Sequence, residues 1–251
     1  MASKPGYGDG VYRRHITLSG EPDAVEAELE DDFHRFGLRL VHDGTRVVRI
    51  EARAARYPWT TCPEATWALR IVEGTALSPR CTDLARHTDP KAQCTHLFDL
   101  AGLAVAHAAR GGGRLRYEVA IPDRDHQCTV ARLEASDPDV PDLRWHLDAA
   151  RITAPEPFAG QPVVGGHFLR FCRETLDPAW LEPAFVLWRA CAISWGRAFD
   201  VGGAPEAGRF ASLAAGNCFS FQPGVVERAK RQDGTVLDFT ARPEALLPGK
   251  P

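Results

Sequence analysis

Apolar and polar residues alternate twice near the start of the chain. Val25, Ala27 and Leu29 are separated by acidic residues, and Phe36, Leu38, Leu40 and His42 alternate with Gly37, Arg39 and Val41. A period of two is the pattern of a half-buried strand. His42-Asp43-Gly44-Thr45 puts an Asp-Gly pair between apolar runs, which predicts a hairpin turn. Residues 46–53 are then the return strand, with Val48, Ile50 and Ala52 on one face. A connector follows over 56–63, where Pro58 and Pro63 interrupt any regular element. Thr61 is placed to cap a helix opened by Pro63, running from about 64 to 73 and stopping at Gly74.

The period changes after residue 94. Leu97, Leu100, Ala101, Ala104, Val105 and Ala108 have helical spacing, Thr95 stands at the N-cap, and Gly111-Gly112-Gly113 ends the helix. So few positions in it are polar that it must be buried on most sides. A second alternating block predicts strands over 115–121, 127–135 and 143–152, with a turn at 122–125. A Pro-rich connector covers 154–162, and helices are predicted over 168–176 and 180–198. Beyond Gly202 the chain is interrupted by Gly and Pro, and no element is predicted. The order is three strands, two helices, three strands, two helices. It implies an α+β fold in which antiparallel sheet wraps on or packs against helices, with a weak internal duplication. One domain over 1–251 is expected, with a sub-boundary near 154–162 and loose ends at 1–10 and about 240–251.

Composition narrows the classes. The chain has 251 residues, 44% hydrophobic and 25% charged, which is globular composition. A net charge of −3 gives no basic face for nucleic acid. The seven cysteines are irregularly spaced with no CxxC pair, so reduced thiols and a cytoplasmic location are expected. No signal peptide and no membrane span is expected. The dinucleotide, phosphate-loop, zinc-helix and nucleophile-elbow motifs are absent, so no cofactor and no metal is expected.

Three segments carry candidate chemistry. Cys94-Thr95-His96 sets a thiol, a hydroxyl and an imidazole at a helix N-terminus, where the backbone amides favour an anion and lower a thiol's pKa. Asp31-Asp32-Phe33-His34 sets two carboxylates beside an imidazole at the entry to a core strand; Asp32 is the candidate for orienting an imidazole for proton transfer. The connector sets Tyr57 and Trp59 where they can wall a pocket for a flat apolar ligand, with Cys62 and Phe36 as further candidate contacts. Cys62 and Cys94 with His34 and His96 form an alternative, zinc-binding set. Each segment also has a plain structural reading: a cap with packed neighbours, a solvated acidic turn, and a packed crossover.

Residues 31–109 resemble the bacterial domain-of-unknown-function family 2889. The marker is a Cys-Thr-His-Leu box, here Cys94-Thr95-His96-Leu97, preceded in order by a histidine opening a strand (His34), a hairpin, and a Pro…Cys-Pro segment (Pro58 to Pro63). The family's commoner form has Gly before the cysteine, where this chain has Gln93. The resemblance implies that His34, Cys62, Cys94, Thr95 and His96 share a site, and it implies no reaction. The chemistry expected is a cofactor-independent lyase of retro-aldol or deformylase type acting on a small aromatic compound in catabolism, with His34 and His96 as acid and base. The alternatives are an ester or thioester hydrolase using Cys94 or His96, and a non-catalytic small-molecule binding protein. The expected partner is a small aromatic substrate, with neither nucleic acid nor membrane; a homodimer is an assembly this reading allows.

Overall fold

The structure is a computed structural model, and it describes residues 6–199, 205–210 and 218–248. The chain divides into two compact units. One is built from residues 16–115 and 202–237, the other from 1–15, 116–201 and 238–251. The fold is α+β, with eight strands and four α-helices among the described residues. No helix among them is long and apolar enough to cross a membrane.

In the first unit, strands β1 (Val11–Gly20), β2 (Ala24–Asp31), β3 (Arg35–His42) and β4 (Val47–Arg56) lie in the order β4-β3-β2-β1, β1 entering from Ile16 onward. The antiparallel β2–β3 register pairs Val25 with Leu40, Ala27 with Leu38 and Leu29 with Phe36. All six are buried. They form one apolar stripe, because residues two apart on paired strands share a face. The β3–β4 turn forms where expected. Asp43 Oδ1 accepts hydrogen bonds from the Thr45 and Arg46 amides, both at 2.8 Å, and Gly44 takes the positive φ (+88°) that the turn demands. The expected face of β4 holds at Ile50 and Ala52 and fails at Val48. A register shift beside this turn pairs His42 with Val47 but Val41 with Arg49. The bulge turns Val47 and Ile50 inward and leaves Val48 exposed.

The helix expected over 64–73 is broken. Cys62–Glu64 and Leu69–Val72 are 3-10 turns around a four-residue helix, α1 (Ala65–Ala68). Thr61 does not cap it; its hydroxyl bonds Ser220 Oγ at 2.9 Å instead. Helix α2 (Thr95–Ala109) packs on β2 and β3, and every residue from His96 to His107 is buried. Cys94, not Thr95, is its N-cap residue, one position earlier than expected, and no side chain caps it.

The second unit has the strand order β1-β5-β6-β7-β8, with β1 contributing its residues before Ile16. The strands are β5 (Arg114–Pro122), β6 (Cys128–Ala135), β7 (Leu143–Asp148) and β8 (Arg151–Ala154), so the expected third strand is two. Helices α3 (His167–Thr175) and α4 (Pro178–Ser194) follow. α4 starts two residues earlier than expected because Asp177 caps it, accepting from the Ala179 amide at 2.9 Å, with Pro178 at the first position. Trp145, Phe158, Phe168 and Trp188 pack as one aromatic cluster. Near both ends, described residues make defined contacts. Thr240 Oγ1 accepts from the Val11 amide at 2.9 Å, and Leu246 and Leu247 are buried. Residues 1–5 and 249–251 lie outside the described residues.

Gly102 sets how closely α2 approaches its surroundings. A Cβ there would lie 2.2 Å from the carbonyl oxygen of Cys81, a backbone atom that cannot rotate away. Gly102→Ala should therefore lower stability by about 2 kcal/mol through forced displacement of packed backbone, although alanine is the better helix former. Denaturant unfolding checks this, and an unchanged or raised midpoint would show that the contact relaxes without strain.

Candidate active site

The turn between β2 and β3 is built around one carboxylate. The apolar stripe of β2 ends Val25, Ala27, Leu29, and the next residue on that face is Asp31, which is fully buried. The register continues by one backbone bond, the Asp31 amide to the His34 carbonyl at 2.9 Å. Asp31 and His34 are thus the polar end of the stripe that Leu29 and Phe36 close. Asp31 Oδ1 accepts from the amides of Phe33 (2.9 Å) and His34 (2.8 Å), as a short acidic side chain does in a tight turn. The same oxygen lies 3.1 Å from Nδ1 of His34.

His96 reaches this point from the first turn of α2. Its Nε2 lies 3.7 Å from Asp31 Oδ2. The two imidazole rings are 3.8 Å apart between centroids and tilted by 30°. Phe36 stacks on both, at 5.7 Å from His34 and 5.9 Å from His96. The site is sheltered: the side chains of His34, His96 and Asp31 are 13%, 6% and 0% exposed. His34 is the member that meets solvent.

Arg56, at the end of β4, holds the turn from behind. Its guanidinium donates to the carbonyls of Asp31, Asp32 (3.1 Å) and His34 (3.2 Å), to that of Thr235 (2.7 Å), and to Glu30 Oε1 (3.1 Å). Residues 218–237 also support the site. The Leu237 amide donates to the Asp32 carbonyl at 2.8 Å, and the Phe219 amide donates to Gln93 beside the start of α2.

The sequence points to Asp32 as the orienting carboxylate; the structure puts Asp31 in hydrogen-bond reach of His34, and Asp32 is fully buried beside it. Period-two alternation carried one step past Leu29 would have found it, since it puts Asp31 on the inward face. Arg56 left no signal, because its role depends on where β4 ends. Of the other candidates, Phe36 joins the two histidines, as described. Trp59 is buried, packs edge-on against Phe221 at 5.9 Å, and lies under the Arg231 guanidinium at 5.4 Å; Tyr57 is half-buried. Cys62 Sγ sits 3.5 Å from Ser220 Oγ. Cys94 is buried, and burial pushes its thiol well above the ordinary range, with Cys62 and Cys218 raising it further. The amides of His96 and Leu97 pull the other way, as a helix N-terminus should, but burial wins. The lowered pKa expected for Cys94 is therefore reversed. Thr95 is the first helical residue. Among the described residues, the three side chains whose ligating atoms converge are Asp31, His34 and His96, all within 4.8 Å, and not the Cys62–Cys94–His34–His96 set.

Two outcomes follow. Arg56→Met should destabilise the protein by about 3 kcal/mol, because it removes the charged donor shared by the carbonyls of Asp31, Asp32, His34 and Thr235 and by Glu30; a change within about 0.5 kcal/mol, the range of an ordinary surface substitution, would deny it that role. In the native protein a thiol reagent at neutral pH should label exposed Cys128 quickly and leave Cys94 unmodified until unfolding. Peptide mapping reads this, and rapid labelling of Cys94 would contradict its burial.

No curated protein matches the chain, and no solved structure matches it. Residues 15–110 match the family described as "Protein of unknown function (DUF2889)", a span that carries Asp31, His34, Phe36, Arg56, Cys94 and His96 and lies almost wholly within the unit formed by 16–115 and 202–237.

Proposed function

We propose that the chain is a small-molecule lyase, using His34 and His96 as an acid–base pair held by Asp31, and that it releases a small aldehyde from an aromatic substrate by retro-aldol cleavage. The observation that carries this reading is the pair of imidazoles 3.8 Å apart over one buried carboxylate. A carboxylate on Nδ1 of His34 fixes the tautomer that leaves Nε2 as the base. The base takes the proton of a substrate hydroxyl. The C–O bond becomes C=O, the adjacent C–C bond breaks, and its electron pair passes into a carbonyl or quinone-like system. His96, protonated at the start, gives its proton to that system, and the proton gained by His34 passes to His96 through Asp31 or water, so both rings return to their starting state and no electrons are gained or lost. Phe36, stacked on both rings, supplies an apolar wall suited to a flat substrate. The alternative with a Cys94 nucleophile is disfavoured by the burial that raises that thiol.

The test is turnover of aromatic β-hydroxy ketones and hydroxymethyl-bearing phenols, read as released aldehyde. His34→Ala, His96→Ala and Asp31→Asn should each lower kcat by about 100-fold or more, the usual contribution of positioned proton transfer, with the fold intact by circular dichroism. Full turnover in both histidine variants would refute the acid–base roles. Saturable binding of these compounds with no product would instead favour a binding protein.

A further inference from the structure

Asp31, His34 and His96 have the donor set and the spacing of a metal centre, and we infer that they bind one divalent transition-metal ion. Two imidazole nitrogens and one carboxylate oxygen make a donor set common to zinc and non-haem iron sites, with positions left for water or substrate. Metal–ligand bonds of this kind are about 2.1 Å, which puts neighbouring ligand atoms about 3.0 Å apart in octahedral geometry and about 3.4 Å apart in tetrahedral geometry. The separation from Asp31 Oδ1 to His34 Nδ1 is 3.1 Å, close to the octahedral value, and that from Asp31 Oδ2 to His96 Nε2 is 3.7 Å, a little above the tetrahedral one. No pair in the trio exceeds 4.8 Å, so closure on an ion needs a contraction of at most about 1.4 Å in tetrahedral and about 1.8 Å in octahedral geometry.

The surroundings also fit. Asp31 Oδ1 is held by the amides of Phe33 and His34, the kind of outer hydrogen bond that orients a ligating carboxylate. The carboxylate is fully buried, and a buried negative charge calls for positive charge close by. A carboxylate with two neutral imidazoles has a net charge of −1, and a divalent ion answers it more strongly than a proton. His34 at 13% exposure is the side open for entry of an ion. The thiols are not ligands here, which separates this centre from a cysteine–histidine zinc site.

This inference does not depend on the lyase reading, and the two can be told apart. An ion on Nδ1 of His34 keeps the proton on Nε2, so the loaded protein cannot run the base step proposed above. Binding is therefore measured without substrate. The chelator-treated full chain is titrated with Zn2+ and with Co2+, followed by calorimetry, elemental analysis after desalting, and the visible spectrum of the Co2+ form. The expected result is one equivalent of retained metal and Co2+ ligand-field bands without a thiolate-to-metal charge-transfer band. Affinity should fall at least 100-fold in His96→Ala and in Asp31→Asn, variants first shown to be folded by circular dichroism. A Cys62→Ser, Cys94→Ser double variant should bind as the parent does. No retained metal, metal retained undiminished in folded His96→Ala, or a thiolate band lost in the cysteine variant would each overturn the assignment.

Discussion

The burial of the Asp31 carboxylate constrains everything near it. A charged oxygen pair at the inner end of an apolar stripe is costly unless hydrogen bonds and positive charge meet it, and an unmet buried charge costs several kcal/mol. The chain meets it locally first. The amides of Phe33 and His34 converge on Oδ1 because the β2–β3 connection is only as long as the turn that Asp31 itself nucleates. That turn then sets the direction of His34. Arg56 fixes the outer side by donating to the turn's carbonyls, so one short loop is held by the Asp31 side chain at the end of β2 and by Arg56 at the end of β4. His96 completes the arrangement because α2 lies along the β2–β3 stripe, with its N-terminus at the polar end.

Much of this was legible in the sequence, wherever structure is decided by local periodicity. The β3–β4 hairpin and α2 follow from Asp43-Gly44, from alternation, and from the apolar run closed by three glycines. His34 and His96 were identified as partners from residue type, position and family resemblance. The failures share a cause, which is a period interrupted by an event that the pattern does not encode. The bulge at Val41/His42 swaps Val48 for Val47 on the inner face of β4. The shortened α1 reflects Thr61 bonding to Ser220, 159 residues away, instead of capping. Asp31 faces inward because it continues the alternation of Val25, Ala27 and Leu29, a signal that proximity in sequence to His34 does not carry.

Cys94 and His96 show how position in a helix and depth in a fold compete. Both stand at the start of α2, where backbone amides favour negative charge. For Cys94 this is overridden, since removing a thiolate from water outweighs a few amide dipoles. The neighbouring thiols add to the penalty. The same burial shelters His96, which has a carboxylate within reach where Cys94 has other thiols. One helix end thus yields an inert thiol and a polar, partnered imidazole two residues apart.

That difference bears on what the site handles. The groups brought to Asp31 by this geometry are amide dipoles, which are fixed, and two imidazoles, whose charge depends on protons. A proton moving between two rings 3.8 Å apart and an ion held among the same three side chains are two uses of one electrostatic design. They exclude each other at Nδ1 of His34, because a nitrogen lone pair cannot serve both. Which use prevails is set by how far the trio contracts, and the rigidity given to the turn by Arg56 and the Phe33 and His34 amides limits that contraction to the side chains of His34 and His96.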